Sequence, residues 1–426
     1  MLASGTEYTG ICIARVDILI PRSSCSISAL GEIERGWPQT VRLALTTAQG
    51  LFTQGMYMVT TVVGVEGADV ESRKIQKVGA ATLTISLPKS WVTQRRLKRG
   101  DLVFLVEEGE ALKLLPNEQA AERKRSLVEF LVDADLCDEP GMLERVVVGN
   151  YVLGREKITI RADRRLRSEH LDEIRRAVRR LMGIGILDES PSEVVLHCSI
   201  DPTNYPLEAL IKRQNSLGST MLSESIEALR TSDATLAEDA MKREDDADMI
   251  YWLTLRLLLS AQLDDALMEP LGIRSRLEIA GYRAIARDLE IVSDHAHEIA
   301  SLVRGLLKEQ IEVPDSIVSA LAGLADLIRQ TSGHALGALL SRDLKQANVA
   351  LSLSKDIEKR YQDVVKHLVR ESRGRRGKDP SFLLPVSGIL TNMAQIGGYG
   401  RSIALIAYNR YLEKPSNLCR PAPGRP

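Results

Sequence analysis

The sequence predicts a multidomain protein in which a small β domain and a small α/β connector precede a mainly α bundle of six helices built as two three-helix repeats. Short alternating strands follow Glu71, mixed elements fill 125–201, and from Pro206 to Leu412 apolar residues recur at helical spacing almost throughout. A chain of 426 residues also exceeds what one hydrophobic core organises, so several domains are expected. Apolar residues make up 44% but aromatics only 4%, so Leu, Ile, Val and Ala carry the core, a bias that favours helices packed on helices.

Residues 1–70 show neither helical nor alternating periodicity and are assigned no domain. Met56 and Met58 stand just ahead of the first patterned segment, so this stretch is expected to be disordered or to include, in part, a start placed too early; the sequence leaves open whether residues 1–57 are translated. An N-terminal mass measurement on native protein that finds Met1 or Leu2 would sink that expectation. The β domain is placed at 71–118. Lys74–Val78 and Thr82–Leu87 read as strands, the second ending at Pro88, and Ser90–Arg96 reads as a short helix capped by Ser90. After Gly100 and Asp101, Leu102–Glu107 and Leu112–Leu115 read as two further strands. Strands this short in so small a domain would struggle to close a core alone, which predicts pairing with a second copy.

The connector, 125–201, reads as strand Ser126–Val132, helix Met142–Leu153, strand Lys157–Ala162, basic helix Ser168–Met182 and strand Val194–Ile200. The bundle, 206–412, reads as Leu207–Arg230, Leu236–Leu263, Leu277–Leu307, Pro314–Leu340, Ala347–Arg370 and Ser381–Leu412. Two blocks of three suggest an internal duplication, with Tyr251 opposite Tyr361 and Ile299-Ala300 opposite Ile403-Ala404. The Pro-containing tail, 413–426, is expected to be disordered.

A net charge of -1 argues against a protein that coats nucleic acid uniformly, and five scattered cysteines form neither a disulfide framework nor a zinc site. No apolar run approaches the roughly 18 residues of a membrane span, and no leader pattern opens the chain, so a cytoplasmic location is expected. Phosphate-binding loops, nucleophile elbows and dinucleotide fingerprints are missing from the sequence. The Gly397-Gly398-Tyr399-Gly400 cluster lies inside a predicted helix and points to close packing. The protein is expected not to be an enzyme.

Charge is nevertheless distributed unevenly. Arg73, Lys74, Lys77, Lys89, Arg95, Arg96, Lys98 and Arg99 lie between 73 and 100 without one acid among them. Such a patch can be a solvated face, or it can neutralise phosphates and release counterions. The run Lys77-Val78-Gly79, Thr82 to Lys89 and Leu97-Lys98-Arg99-Gly100-Asp101-Leu102-Val103 resembles the AbrB/SpoVT/MazE family of swapped-hairpin DNA-binding domains. That resemblance covers nearly all of 71–116. It implies two chains exchanging hairpins into one interlaced β unit, with Lys77, Lys89, Arg95 and Arg96 contacting DNA. Members of that family also act as antitoxins, so protein binding stays open.

Two acid pairs stand in the bundle. Glu244 and Asp248 are four residues apart, as are Glu290 and Asp294. On a helix each pair stacks on one face and repels by about a few tenths of a kcal/mol unless a cation or base lies between. A solvated stripe satisfied by Arg243 or Arg287 is the plain reading. Among Leu289, Ile291, Val292 and Ile299 the exposure of Glu290 and Asp294 is not guaranteed, and buried carboxylates require partners. Two such faces meeting across adjacent helices would offer oxygen ligands to a hard or borderline metal ion.

The segment 206–412, most closely around Glu244–Leu257 and Ile285–Ala300, resembles the PhoU family of phosphate-uptake regulators. The resemblance implies a bundle of two three-helix repeats whose acid motifs hold metal ions, with Glu244, Asp248, Glu290 and Asp294 as ligands of the first repeat. Iron, zinc, magnesium or calcium would suit. In the second repeat the matching positions are Ser354, Glu358, Ala394 and Gly398, a single acid, so a second cluster is not expected. It also implies an archaeal type of regulator in which an AbrB-like head precedes a PhoU-like bundle. His297, three residues after Asp294, resembles half of a ferritin-like Glu-x-x-His arrangement, which keeps a metal-dependent redox enzyme as a competing reading. His295 and His297 otherwise read as surface or capping residues.

Together these readings predict a phosphate-responsive regulator that binds DNA through its head and metal through its bundle, and that controls phosphate uptake. It would act as a homodimer or higher even oligomer, with a phosphate transporter or its signalling partners as further contacts. The alternative is a regulator that only dimerises through its head and docks such a partner without touching DNA.

Overall fold

A computed structural model of the chain describes residues 13–14, 63–64, 72–78, 82–108, 111–115, 129–374 and 381–422. Two compact units result, Met1–Asp101 and Leu102–Pro426. The first holds the two-residue antiparallel pair β1 (Ile13–Ala14) and β2 (Val63–Gly64), the hairpin β3 (Gln76–Val78) and β4 (Thr82–Thr84), and the short helix α1 (Lys89–Gln94). The expectations for 1–70 otherwise lie outside the described residues. The N-cap of α1 is Pro88, not Ser90, because the fixed φ of proline already starts the turn.

In the second unit the chain first makes a separate hairpin, β5 (Phe104–Glu108) with β6 (Ala111–Leu115). Within 71–118 the described strands form two two-stranded sheets, β3 with β4 and β5 with β6.

The connector is a four-stranded sheet of order β7-β8-β10-β9, from β7 (Glu129–Asp133), β8 (Lys157–Arg161), β9 (Ile184–Glu189) and β10 (Glu193–Cys198). β7 and β8 run parallel across helix α2 (Met142–Val152), and the hairpin β9–β10 follows helix α3 (Ser168–Arg180). Ile158, Ile160, Val194 and Leu196 point to the helices and form one core with Leu143, Val147, Ile174 and Ala177. β9 was not expected, because an edge strand that buries only Ile184 shows no alternation in sequence.

Six helices follow: α4 (Leu207–Thr231), α5 (Ala234–Leu263), α6 (Arg276–Lys308), α7 (Asp315–Ser341), α8 (Leu344–Gly374) and α9 (Leu383–Leu412). The joint between α4 and α5 is built from Ser232 in the left-handed region and Asp233, whose carboxylate accepts from the amides of Thr235 and Leu236 at 2.9 and 3.1 Å. The joint between α7 and α8 repeats it with left-handed Arg342 and Asp343, which accepts from the Lys345 amide at 2.8 Å. α6 and α9 lie against each other in opposite directions, Gly281 beside Ile406 and Gly388 beside Leu302.

Connector and bundle meet along one stripe of α5. Arg256, buried beside Tyr151, donates to the Tyr151, Arg155 and Gly154 carbonyls at 2.6, 3.0 and 3.2 Å. A guanidinium there satisfies carbonyls that α2 leaves open at its end and complements its dipole. Gly154 sits at φ +81°, a conformation that favours glycine, and a Cβ there would lie 2.8 Å from Ser260 Oγ. Trp252 packs against both cores.

Candidate metal centre

The site lies where α5 and α6 face each other. Leu253, Leu257, Leu289 and Val292 bury the apolar sides of these helices. Gly218 lets α4 come close from behind, since a Cβ there would stand 2.9 Å from Val292 Cγ1. The acids project from the remaining faces. One oxygen each of Asp248, Glu290 and Asp294 falls within 4.8 Å of the others, bringing together three of the four acids proposed from the sequence. Glu244, one turn before Asp248, turns instead to His297, whose Nδ1 lies 2.6 Å from its Oε2.

Burial is the largest influence on these groups. It pushes the Glu290 carboxyl up to about 7, helped by the charge of Asp294 and opposed by Arg287. Burial also raises Asp294, with Asp248 adding to the effect and Arg287 resisting it. Glu244 rises through burial as well, held back by His297 and raised further by Asp248 and Asp294. Glu290 and Asp248 are largely buried while Asp294 is exposed, and the crowding of these carboxylates is offset by Arg287, Arg180 and the imidazoles of His295 and His297. The donor set, three carboxylates with an imidazole alongside, fits a divalent cation of the hard or borderline type.

Arginines reach two of the three acids. Arg287 ion-pairs with Glu290. Arg180, from the last turn of α3 in the connector, donates to Asp248 at 2.6 Å and to Glu144 at 3.3 Å. Arg243 does not serve the site, for it forks onto Glu224 with two contacts of 2.7 Å. No sequence signal marked Arg180, which lies far from α5 along the chain. The pairing of His297 with Glu244 was closer to hand, since His297 sits one turn beyond Asp294 on the same helix. His295 is also partnered: its Nδ1 is 2.7 Å from Asn392 Oδ1, and its ring stacks on Tyr399.

The residues proposed for nucleic-acid contact belong to the first unit. Lys77 lies on β3 opposite Leu83, Lys89 opens α1, and Arg95 and Arg96 close it. Arg96 is left-handed, at φ 55°, and all four side chains are exposed.

The bundle places its carboxylate trio on two facing helices, and comparison with known proteins shows what the chain is similar to. Residues 211–303, which contain Glu244, Asp248, Glu290 and Asp294, match the family model of the PhoU domain. A comparison with curated proteins finds no match. Among solved structures the chain is similar to the crystal structure of PhoU from Pseudomonas aeruginosa, at 18% identity and a TM-score of 0.40 over 47% of this chain and 93% of that one. It is likewise similar to the phosphate transport system regulatory protein PhoU from Streptococcus pneumoniae, at 15% identity and a TM-score of 0.40 over 49% of this chain and 94% of that one. Among the described residues no helix is long and apolar enough to cross a membrane.

Proposed function

We propose that this protein is a regulator of phosphate uptake whose bundle binds a divalent metal ion and whose basic head binds DNA. The observation that carries the reading is the convergence of Asp248, Glu290 and Asp294 inside the segment that matches the PhoU domain. Iron, zinc, magnesium or calcium would be held by these three acids, with Glu244 and His297 adjacent. Elemental analysis of purified protein tests the metal; Glu290→Ala with Asp294→Ala should strip most of it, and unchanged metal content would overturn this half.

Support for the head rests on chemistry. Lys77, Lys89, Arg95 and Arg96 are exposed cations, and exposed cations release counterions from a phosphate backbone. A gel shift on the protein's own promoter and on phosphate-transport promoters at low salt should show a complex that charge reversal at Lys89, Arg95 and Arg96 abolishes. The second reading, a head that dimerises and a bundle that docks a transporter or signalling partner, is favoured by Ile75, Leu83 and Ile85, which are exposed on and beside the β3–β4 hairpin. Retained regulation after that charge reversal would select it. Metal-dependent redox turnover has no observation in its favour beyond His297.

A further inference from the structure

Arg180 belongs to one domain and neutralises a carboxylate of another. Its guanidinium donates to Asp248 Oδ2 at 2.6 Å, and Asp248 is one of the three acids whose oxygens converge. A cation with Asp248 as ligand and a guanidinium donating to the same carboxylate compete for its lone pairs and its charge. Arg180 has a second anchor inside its own domain, Glu144 at 3.3 Å, which Arg176 shares at 3.0 Å. Losing Asp248 would therefore leave Arg180 paired within the connector while removing its hold on the bundle.

The same helix face continues the connection. Asp248, Trp252, Arg256 and Ser260 follow one another at single-turn spacing along α5. Trp252 packs into the connector core, Arg256 holds the end of α2, and Ser260 lies against Gly154. The stripe that docks the connector thus begins with a carboxylate of the cation site. The two ends differ in character. The Arg256 end is buried and makes three hydrogen bonds to backbone, whereas the Arg180 end is a side-chain ion pair with Arg180 45% exposed and Asp248 18% exposed. An ion pair of that kind opens more readily than a buried, multiply bonded anchor.

We propose that Arg180 is a built-in competitor of the metal ion: loading the bundle site draws Asp248 from Arg180 and loosens the α3 end of the connector, while Arg256 keeps the α2 end docked. Connector position and site occupancy are then linked, and the linkage is reciprocal, so weakening the Arg180 contact tightens metal binding. This inference rests on the metal reading above.

The test uses the full chain and Mn²⁺ as probe, with affinity from calorimetric titration and docking from amide hydrogen exchange. Arg180→Gln should bind Mn²⁺ about two- to five-fold more tightly than the parent, the range a partly exposed ion pair supports. Mn²⁺ should speed exchange around the end of α3 in the parent and leave it unaltered in Arg180→Gln. Arg180→Lys, which keeps the charge without the fork, should lie between. Equal or weaker binding by a folded Arg180→Gln, or Mn²⁺ binding to the parent with exchange at α3 unchanged, would overturn the inference and leave the metal site standing. Absence of Mn²⁺ binding from both proteins would overturn both. Binding only by Arg180→Gln would support the competition.

Discussion

The first and second repeats of the bundle share a frame and differ in what they place on it. Buried positions of α6 recur on α9 in constant register: Tyr282 with Val386, Leu289 with Met393, Ser293 with Gly397, Ala300 with Ala404 and Leu306 with Arg410. Those of α4 recur on α7 in the same way, Ile211 with Leu321 and Leu229 with Leu339, and Ala247 of α5 recurs as Ile357 of α8. In that register Glu244, Asp248, Glu290 and Asp294 face Ser354, Glu358, Ala394 and Gly398. The second repeat keeps its helices with three of the four acids gone. The acids of the first are therefore not what holds such a repeat together, and their crowding costs stability that a bound cation would offset.

The two ends of the α6–α9 pair make a second contrast. At one end Glu278, 1% exposed, accepts from Arg342 at 2.6 Å and lies 3.5 Å from Arg410, whose guanidinium sits 4.3 Å over the Tyr282 ring. At the corresponding place in the other repeat stand Phe382 and Leu306, both within one apolar cluster. Pseudo-symmetric sites have been closed once with ions and once with hydrocarbon.

The largest effect is expected from breaking the ionic end. Glu278→Ala leaves two arginines without their shared carboxylate and should cost about 3–5 kcal/mol in denaturant unfolding. Glu278→Phe with Arg410→Leu, which copies the apolar end, should recover most of that loss; no recovery would mean that the ends are not interchangeable. Next comes the difference between the acid sets. Glu358→Ala should leave metal content unchanged, whereas Ser354→Glu, Ala394→Glu and Gly398→Asp together should add metal to the second repeat. Gly398 has open space around its missing Cβ, so the new side chain can be accommodated.

A smaller effect is expected from pH. Glu290 is pushed up to about 7 from an ordinary 4.5, so the folded state binds more protons than the unfolded one between those values. Metal-free protein should accordingly lose stability from this group as pH rises from 4.5 to 7, the reverse of an ion-paired acid with a lowered pKa. Unfolding midpoints in chelator at pH 5 and 7.5 check this, and Glu290→Gln should gain stability relative to the parent as pH rises. A difference that is flat or shifts in favour of the parent would contradict it. The smallest change is Gly218→Ala, whose Cβ would press on Val292 where the second repeat carries Ile328. It should destabilise by about 1 kcal/mol, the low end of overpacking.

Much of the bundle was legible because helical periodicity is local. Leu207–Arg230 was expected and Leu207–Thr231 is found; Leu277–Leu307 was expected and Arg276–Lys308 is found. β9 was not legible, since an exposed edge strand leaves little alternation to read. The three converging acids were legible too, since one-turn spacing singled out Asp248, Glu290 and Asp294, but the same spacing also singled out Glu244, which turns to His297 instead of joining the trio.

By itself the sequence determined what repeats over a few residues: the helices of the bundle, its doubling, the acid pairs at one-turn spacing and the basic stretch near 73–100. Only the tertiary structure decided which acids converge, that Arg180 reaches Asp248 and that Arg410 reaches Glu278. Periodicity fixes which face a side chain occupies along its own helix. Partners distant in the chain are fixed by how those faces pack, and no local pattern encodes that.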